Sequence, residues 1–232
     1  MVERTLPGNP PVSVTLRRSA RARRFSLRVS RLDGRVTLSI PARASEAEAL
    51  AFAGDKADWV RSILATSAPR RGIGPGSVVP FEGRALTVTA AAVRAVRVEG
   101  DLLLVPGDPA RMAARIAAFL KLAARQRLQA ESERFAAAIG RPIRAITLRD
   151  TRSRWGSCTH DGRLMYSWRL IMAPPEVLSY VAAHEVAHLK ELNHSADFWA
   201  IVARLMPDHA RHRRWLRGHG NDLHRIDFGG SE

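Results

Sequence analysis

Cysteine is nearly absent. Cys158 is the only one in 232 residues, so an intramolecular disulfide is impossible and a multi-cysteine zinc knuckle is excluded. Lysine is almost as scarce: Lys56, Lys121 and Lys190 are the only three among 37 basic residues, so the formal charge of +15 is carried by arginine. Long apolar runs are missing too. Every candidate is broken by Arg, Lys, Glu or His before reaching the roughly 18 to 20 residues that span a bilayer. Met1 to Pro11 has no apolar stretch of the secretory type, so the expectation is a cytoplasmic chain with no membrane span. No Gly-rich phosphate loop is present either.

What is present suits a folded protein. Hydrophobic residues make up 46% and charged residues 25%, enough to build a substantial core. The arginine surplus has two readings: the codon usage of a GC-rich genome, or a polyanionic partner such as a nucleotide or nucleic acid. Arg17, Arg18, Arg21, Arg23, Arg24 and Arg28 form the densest cluster, and a solvated strand face explains it as well as a ligand does.

The pattern along the chain predicts an α+β protein. Residues 1–11 are expected to be disordered, and 12–106 to form a β-rich subdomain with one helix. Ser26–Val29 and Val36–Ile40 alternate apolar and polar residues around an Asp33-Gly34 turn. Ser45-Glu46-Ala47-Glu48 then opens a helix through a capping box. Pro69 to Gly76 reads as a linker, and Val78 to Pro106 as a small antiparallel element turning at Glu99-Gly100-Asp101. Residues 107–225 are expected to hold a catalytic domain, starting with a helix from Pro109 to Ile139 that stops at Gly140. Strands are expected over 143–149 and 164–171, then helices from Glu176 to about Leu192, from Ser195 towards Pro207, and on to Gly218. Residues 226–232 are expected to be a disordered tail, and no internal repeat stands out.

One constellation carries chemistry. His184-Glu185-Val186-Ala187-His188 lies in a helical stretch, and residues four apart share a helix face, so both imidazoles can reach one metal ion. Glu185 is offset around the helix, where its carboxylate lies beside a metal-bound water as a general base. A catalytic zinc takes three protein ligands. His194 is the nearest third donor, following Asn193, a residue that tolerates a left-handed helix end. After Glu191 no glutamate occurs until Glu232, which leaves Asp197, Asp208, Asp222, His209, His212 and His219 as other donors. One zinc ion per chain is the expected cofactor. Tyr180, one turn before His184, and Arg154 are candidate oxyanion contacts. Both also read as packing or structural ion pairing.

Arg154-Trp155-Gly156-Ser157-Cys158, Tyr166 to Pro174, His184 to Leu189 and Asn193-His194-Ser195 with Phe198-Trp199 resemble the YgjP-like metallopeptidase family. Trp215-Leu216, Leu223-His224, Arg17 to Arg24 and Asp33 to Val36 are similar to it as well. The resemblance implies a zincin-like fold, with the His184/His188 helix beside a small antiparallel sheet and the strand at Trp155 to Cys158 bordering the cleft. It implies a peptide or protein substrate, with Trp155 as core, cleft wall or a substrate contact, and Cys158 as a packed strand residue. The family's other label, UTP pyrophosphatase, and a nucleic-acid-associated protease acting on DNA-bound proteins are the competing activities.

Overall fold

Strict alternation lays down the first sheet. In the computed structural model, which describes residues 2–30, 34–66 and 71–229, strands β1 (Val2–Leu6), β2 (Val12–Ser19), β3 (Ser26–Val29) and β4 (Val36–Pro41) lie in the order β1-β2-β4-β3. β2 and β4 run parallel, and the outer pairs are antiparallel. Val14 and Leu16, with Val36, Leu38 and Ile40, point to one face, where Ala49, Ala53 and Val60 of two helices close the core. The expected disordered N-terminus is therefore corrected over Val2–Leu6, whose backbone pairs residue by residue with β2. Asp33 of the expected turn lies outside the described residues; Gly34 has a left-handed φ of 68°.

The expected single helix is two, α1 (Glu46–Asp55) and α2 (Ala57–Thr66), separated at Lys56. Its capping box is present: the Glu48 amide donates to Ser45 Oγ at 3.0 Å and the Ser45 amide donates to Glu48 Oε2 at 3.3 Å. The six clustered arginines are all exposed, and Arg18 donates to the carbonyls of Ala42 and Ala44. Arg17 and Arg18 are consecutive on β2 and point to opposite sides of the sheet, so the cluster is solvated but does not make one face.

A second compact unit begins at Arg71. The expected boundary at 106/107 is thus moved to 70/71, and residues 67–70 of the expected linker lie outside the described residues. The physical reason is a shared core. After β5 (Arg71–Gly72), strands β6 (Val78–Phe81), β7 (Arg84–Ala91), β8 (Arg97–Glu99) and β9 (Leu102–Pro106) form a four-stranded sheet. Its Leu86, Val88, Leu103 and Val105 are buried in one cluster with Met112, Ile116 and Leu120 of helix α3 (Pro109–Ile139). The sheet is mixed where an antiparallel one was expected, because β8 and β9 form a hairpin that returns β9 parallel to β7. Its order, β6-β7-β9-β8, and its strand directions repeat those of the first sheet.

Helix α3 follows its sequence signals closely. Asp108 accepts from the Ala110 amide at 3.1 Å, Pro109 occupies the first turn, and Gly140 ends the helix at φ 63° and ψ 41°. Its buried stripe includes Ser132, whose hydroxyl hydrogen-bonds to the buried Tyr166 hydroxyl at 2.9 Å.

The remaining elements place the histidines. β10 (Ala145–Arg149), β11 (Gly156–Cys158) and β12 (Arg163–Ser167) form a sheet in the order β10-β12-β11, with β11 at its edge. This sheet is also mixed. The β11–β12 hairpin intervenes in the chain, so β10 joins the far side of β12 in parallel. The expected strand over 164–171 stops at Ser167, and Trp168–Met172 is a 3-10 turn. Helix α4 (Pro175–Ala187) is buried on nearly every side, as a helix apolar all round must be, and contacts α3, β11, α5 (Ala196–Leu205) and α6 (His209–Leu223). It ends sooner than Leu192, and α6 runs on past Gly218. β13 (Ile226–Asp227) pairs with β5, so ordered strand replaces the first part of the expected tail; residues 230–232 lie outside the described residues. No helix among the described residues is long and apolar enough to cross a membrane.

Buried Arg169 ties the end of α6 to this core. It forks onto Asp150 at 2.6 and 3.0 Å and donates to the carbonyls of Leu223 and Ile226, both at 2.9 Å. Removing one partner of a buried pair strands the other charge. Asp150→Ala is therefore expected to lower stability by about 2–3 kcal/mol, as Arg169 keeps its two carbonyl acceptors. Urea unfolding measures it.

Candidate metal centre

Helix α4 carries His184 one turn before His188, its C-terminal capping residue, and the chain then reverses so that His194 comes back to the same point. The reversal does not use a left-handed Asn193 as expected; the only non-glycine residue with positive φ among the described residues is Glu82. Instead Asn193 Oδ1 accepts from the Ser195 amide at 2.9 Å, and Ser195 Oγ caps α5 by accepting from the Phe198 amide at 3.3 Å.

One ligand atom from each of the three histidines lies within 4.8 Å of the others. His184 Nε2 and His194 Nε2 are 3.1 Å apart. Donors at zinc–nitrogen distance on a tetrahedral ion lie about 3.3 Å apart, so this spacing fits two ligands of one ion. His188 Nδ1 lies 2.8 Å from the Glu191 carbonyl; donation there leaves Nε2 unprotonated for a metal. His184 Nδ1 is buried with no hydrogen-bond partner, so its ring is oriented by packing, with Phe198 at 4.9 Å, Trp199 at 5.8 Å and Tyr180 at 6.0 Å between centroids.

Burial keeps two of the imidazoles unprotonated. Burial, then the neighbouring His188, His194 and Arg213, pushes His184 down to about 3, and burial lowers His188 as well. Both imidazoles are therefore neutral at pH 7, with lone pairs free. Glu185 is 5% exposed, and burial pushes it up to about 8 against the opposing charge of Arg154. A cation held by the imidazoles acts in the same direction as Arg154, towards the ionised carboxylate.

Arg154, Trp155 and Tyr180, the three expected contacts, all line a cleft of about 450 Å³ with His184 and Glu185. Trp155 stacks on His224 at 4.8 Å as a wall, and Tyr180 is largely buried, which raises its phenol. Cys158 is half-buried in β11; burial, then Glu185 and Asp161, pushes its thiol up to about 11, so it is a neutral packed residue. The other donors considered, Asp197, Asp208, Asp222, His209, His212 and His219, do not join the cluster.

A family model described as YgjP-like, metallopeptidase domain, matches residues 23–219. The chain belongs to the YgjP-like metallopeptidase family. Among solved structures, the metallopeptidase zymogen of Pyrococcus abyssi abylysin is similar at 20% identity over 39% of this chain and 93% of that one, with a TM-score of 0.36. No curated protein matches.

Two features of this YgjP-like site escaped the sequence. Gly156 is where Glu185 packs: a Cβ there would lie 2.5 Å from Glu185 Oε1 and 2.6 Å from its Cγ. Arg213 and Arg217, one turn apart on α6, complete the cleft. Their i, i+4 spacing within a run of arginines was visible, but nothing local links α6 to the cleft.

Proposed function

We propose that the chain is a zinc-dependent peptidase with a zincin-like catalytic unit, in which His184, His188 and His194 hold the ion and Glu185 is the general base. The convergence of three imidazoles beside one buried carboxylate is the observation that carries this. Membership in a metallopeptidase family supports it. Three imidazoles and no thiolate suit zinc and similar borderline metals. Zinc bound there supplies Lewis acidity to water and to a peptide carbonyl.

The chain's own residues do the rest. Glu185 takes a proton from the attacking water and delivers it to the departing amine, a transfer within reach of a carboxylate walled against bulk solvent. Tyr180 and Arg154 stand at the cleft as donors to the developing oxyanion. β11 is an edge strand whose Gly156 lines the cleft, which suits an extended peptide added to the sheet.

Metal analysis tests the ligand set. The purified chain is expected to carry one equivalent of zinc, His184→Ala none, and His194→Ala distinctly less than one. A full equivalent retained by His194→Ala removes that residue from the set. Peptide hydrolysis should vanish on chelation and return with added zinc.

A further inference from the structure

Several arginines near the small sheet and α3 have acidic partners. Arg144 and Arg163 both pair with Asp161 at 2.9 Å, Arg169 pairs with Asp150, and Arg127 and Arg134 pair with Glu82 and Glu131 at 2.6 Å. Arg154, Arg213 and Arg217 are different. They line the cleft at Glu185, all three are exposed, and none makes an ion pair among the described residues. Arg213 is nonetheless held in place, its guanidinium 4.7 Å from the centre of the Trp199 ring. Glu185 is the only acid lining the cleft, and Val181 and Leu216 supply apolar wall between the charges.

Codon bias scatters arginine over a surface; it does not by itself bring Arg154 of one loop and Arg213 and Arg217 of α6 to the same cleft around one carboxylate. Such an arrangement costs electrostatic repulsion in the empty cleft. Bound carboxylate relieves it and accepts the forked hydrogen bonds that guanidinium makes best.

We propose that this cleft selects acidic peptide: Arg213 and Arg217 form a subsite for an Asp or Glu side chain flanking the bond to be cut, beside the Arg154 that faces Glu185. This rests on the peptidase reading above. It goes further in assigning the substrate class, with Arg213 and Arg217 as specificity-determining residues.

Binding separates the two claims. A zinc-loaded Glu185→Gln chain, which retains substrate uncut, is titrated with a fluorescent peptide containing Asp and Glu and with its Asn/Gln twin. The acidic peptide is expected to bind at least about tenfold more tightly, the range of a charge-assisted hydrogen bond, and to weaken as salt rises. Adding Arg213→Gln and Arg217→Gln should bring the two peptides close to equal affinity, with Arg217→Lys keeping part of the preference. Equal binding from the outset, or a preference that survives the double substitution, overturns the subsite. Binding of a nucleoside triphosphate without preference for the acidic peptide also overturns it and reassigns the cleft to phosphate. Cleavage by the wild-type chain is scored separately: intact peptides with the binding preference present would sink the peptidase reading and leave the subsite standing.

Discussion

Glu185→Gln is expected to reduce turnover by about 10²–10⁴-fold, the usual worth of a positioned general base, while zinc content stays at the wild-type level. The substitution keeps the shape of a side chain that is 5% exposed and removes only its ability to accept a proton. His184, His188 and His194 are untouched, so metal affinity should hold. Burial opposes the charged form strongly enough to push the carboxyl up to about 8, so a neutral amide of the same volume is no harder to bury. The variant should therefore unfold at the wild-type temperature or above it. His188→Ala gives the contrasting pattern, losing metal and turnover together. Three measurements on each variant, namely peptide turnover, zinc by mass spectrometry and thermal unfolding, separate base from ligand. Wild-type turnover in Glu185→Gln would remove the residue from the chemistry.

The part of this site legible in the sequence is the part that depends on chain-local geometry. His184, Glu185 and His188 follow from helical spacing, and elsewhere in the chain Ser45 and Gly140 mark helix ends through bonds to their own neighbours. His194 was found for a partly wrong reason: the chain does reverse after Asn193, but through a side-chain hydrogen bond and not a left-handed backbone. Strand direction was not legible. Alternation tells which face of Val36–Pro41 is buried and says nothing about whether its neighbour runs parallel, so all three larger sheets were read too simply. The repeated four-strand order escaped for the same reason. Its only sequence trace is a pair of apolar strands ending at Pro41 and Pro106, each followed closely by a helix cap. The domain boundary fell at residue 107 because the change there from strands to a long helix conceals that Leu103 and Val105 share a core with Met112. Arg213 and Arg217 join Arg154 only through tertiary packing.

Gly156→Ala is expected to cost about as much activity as a direct change to the machinery, although it adds one methyl group and touches no ligand. That methyl would lie 2.5, 2.6 and 2.7 Å from Oε1, Cγ and Cδ of Glu185, closer than carbon can approach without something moving. The strand cannot yield easily, since Gly156 is paired across the sheet with Tyr166, whose ring is fully buried. Glu185 must therefore shift, and an error of about 1 Å in a reacting group costs on the order of 100-fold in rate. Overpacking should also lower stability by about 1–3 kcal/mol, while zinc content is unchanged. A steric cause has its own signature. Glu185→Ala alone loses activity by removing the carboxylate, and it also removes Cγ, Cδ and Oε1, the three atoms that the added methyl meets. The double variant Gly156→Ala/Glu185→Ala should therefore be no less active and no less stable than Glu185→Ala alone, a non-additive pair of the kind expected for groups in contact. Full additivity of the two losses would place the effect of Gly156 elsewhere than on Glu185.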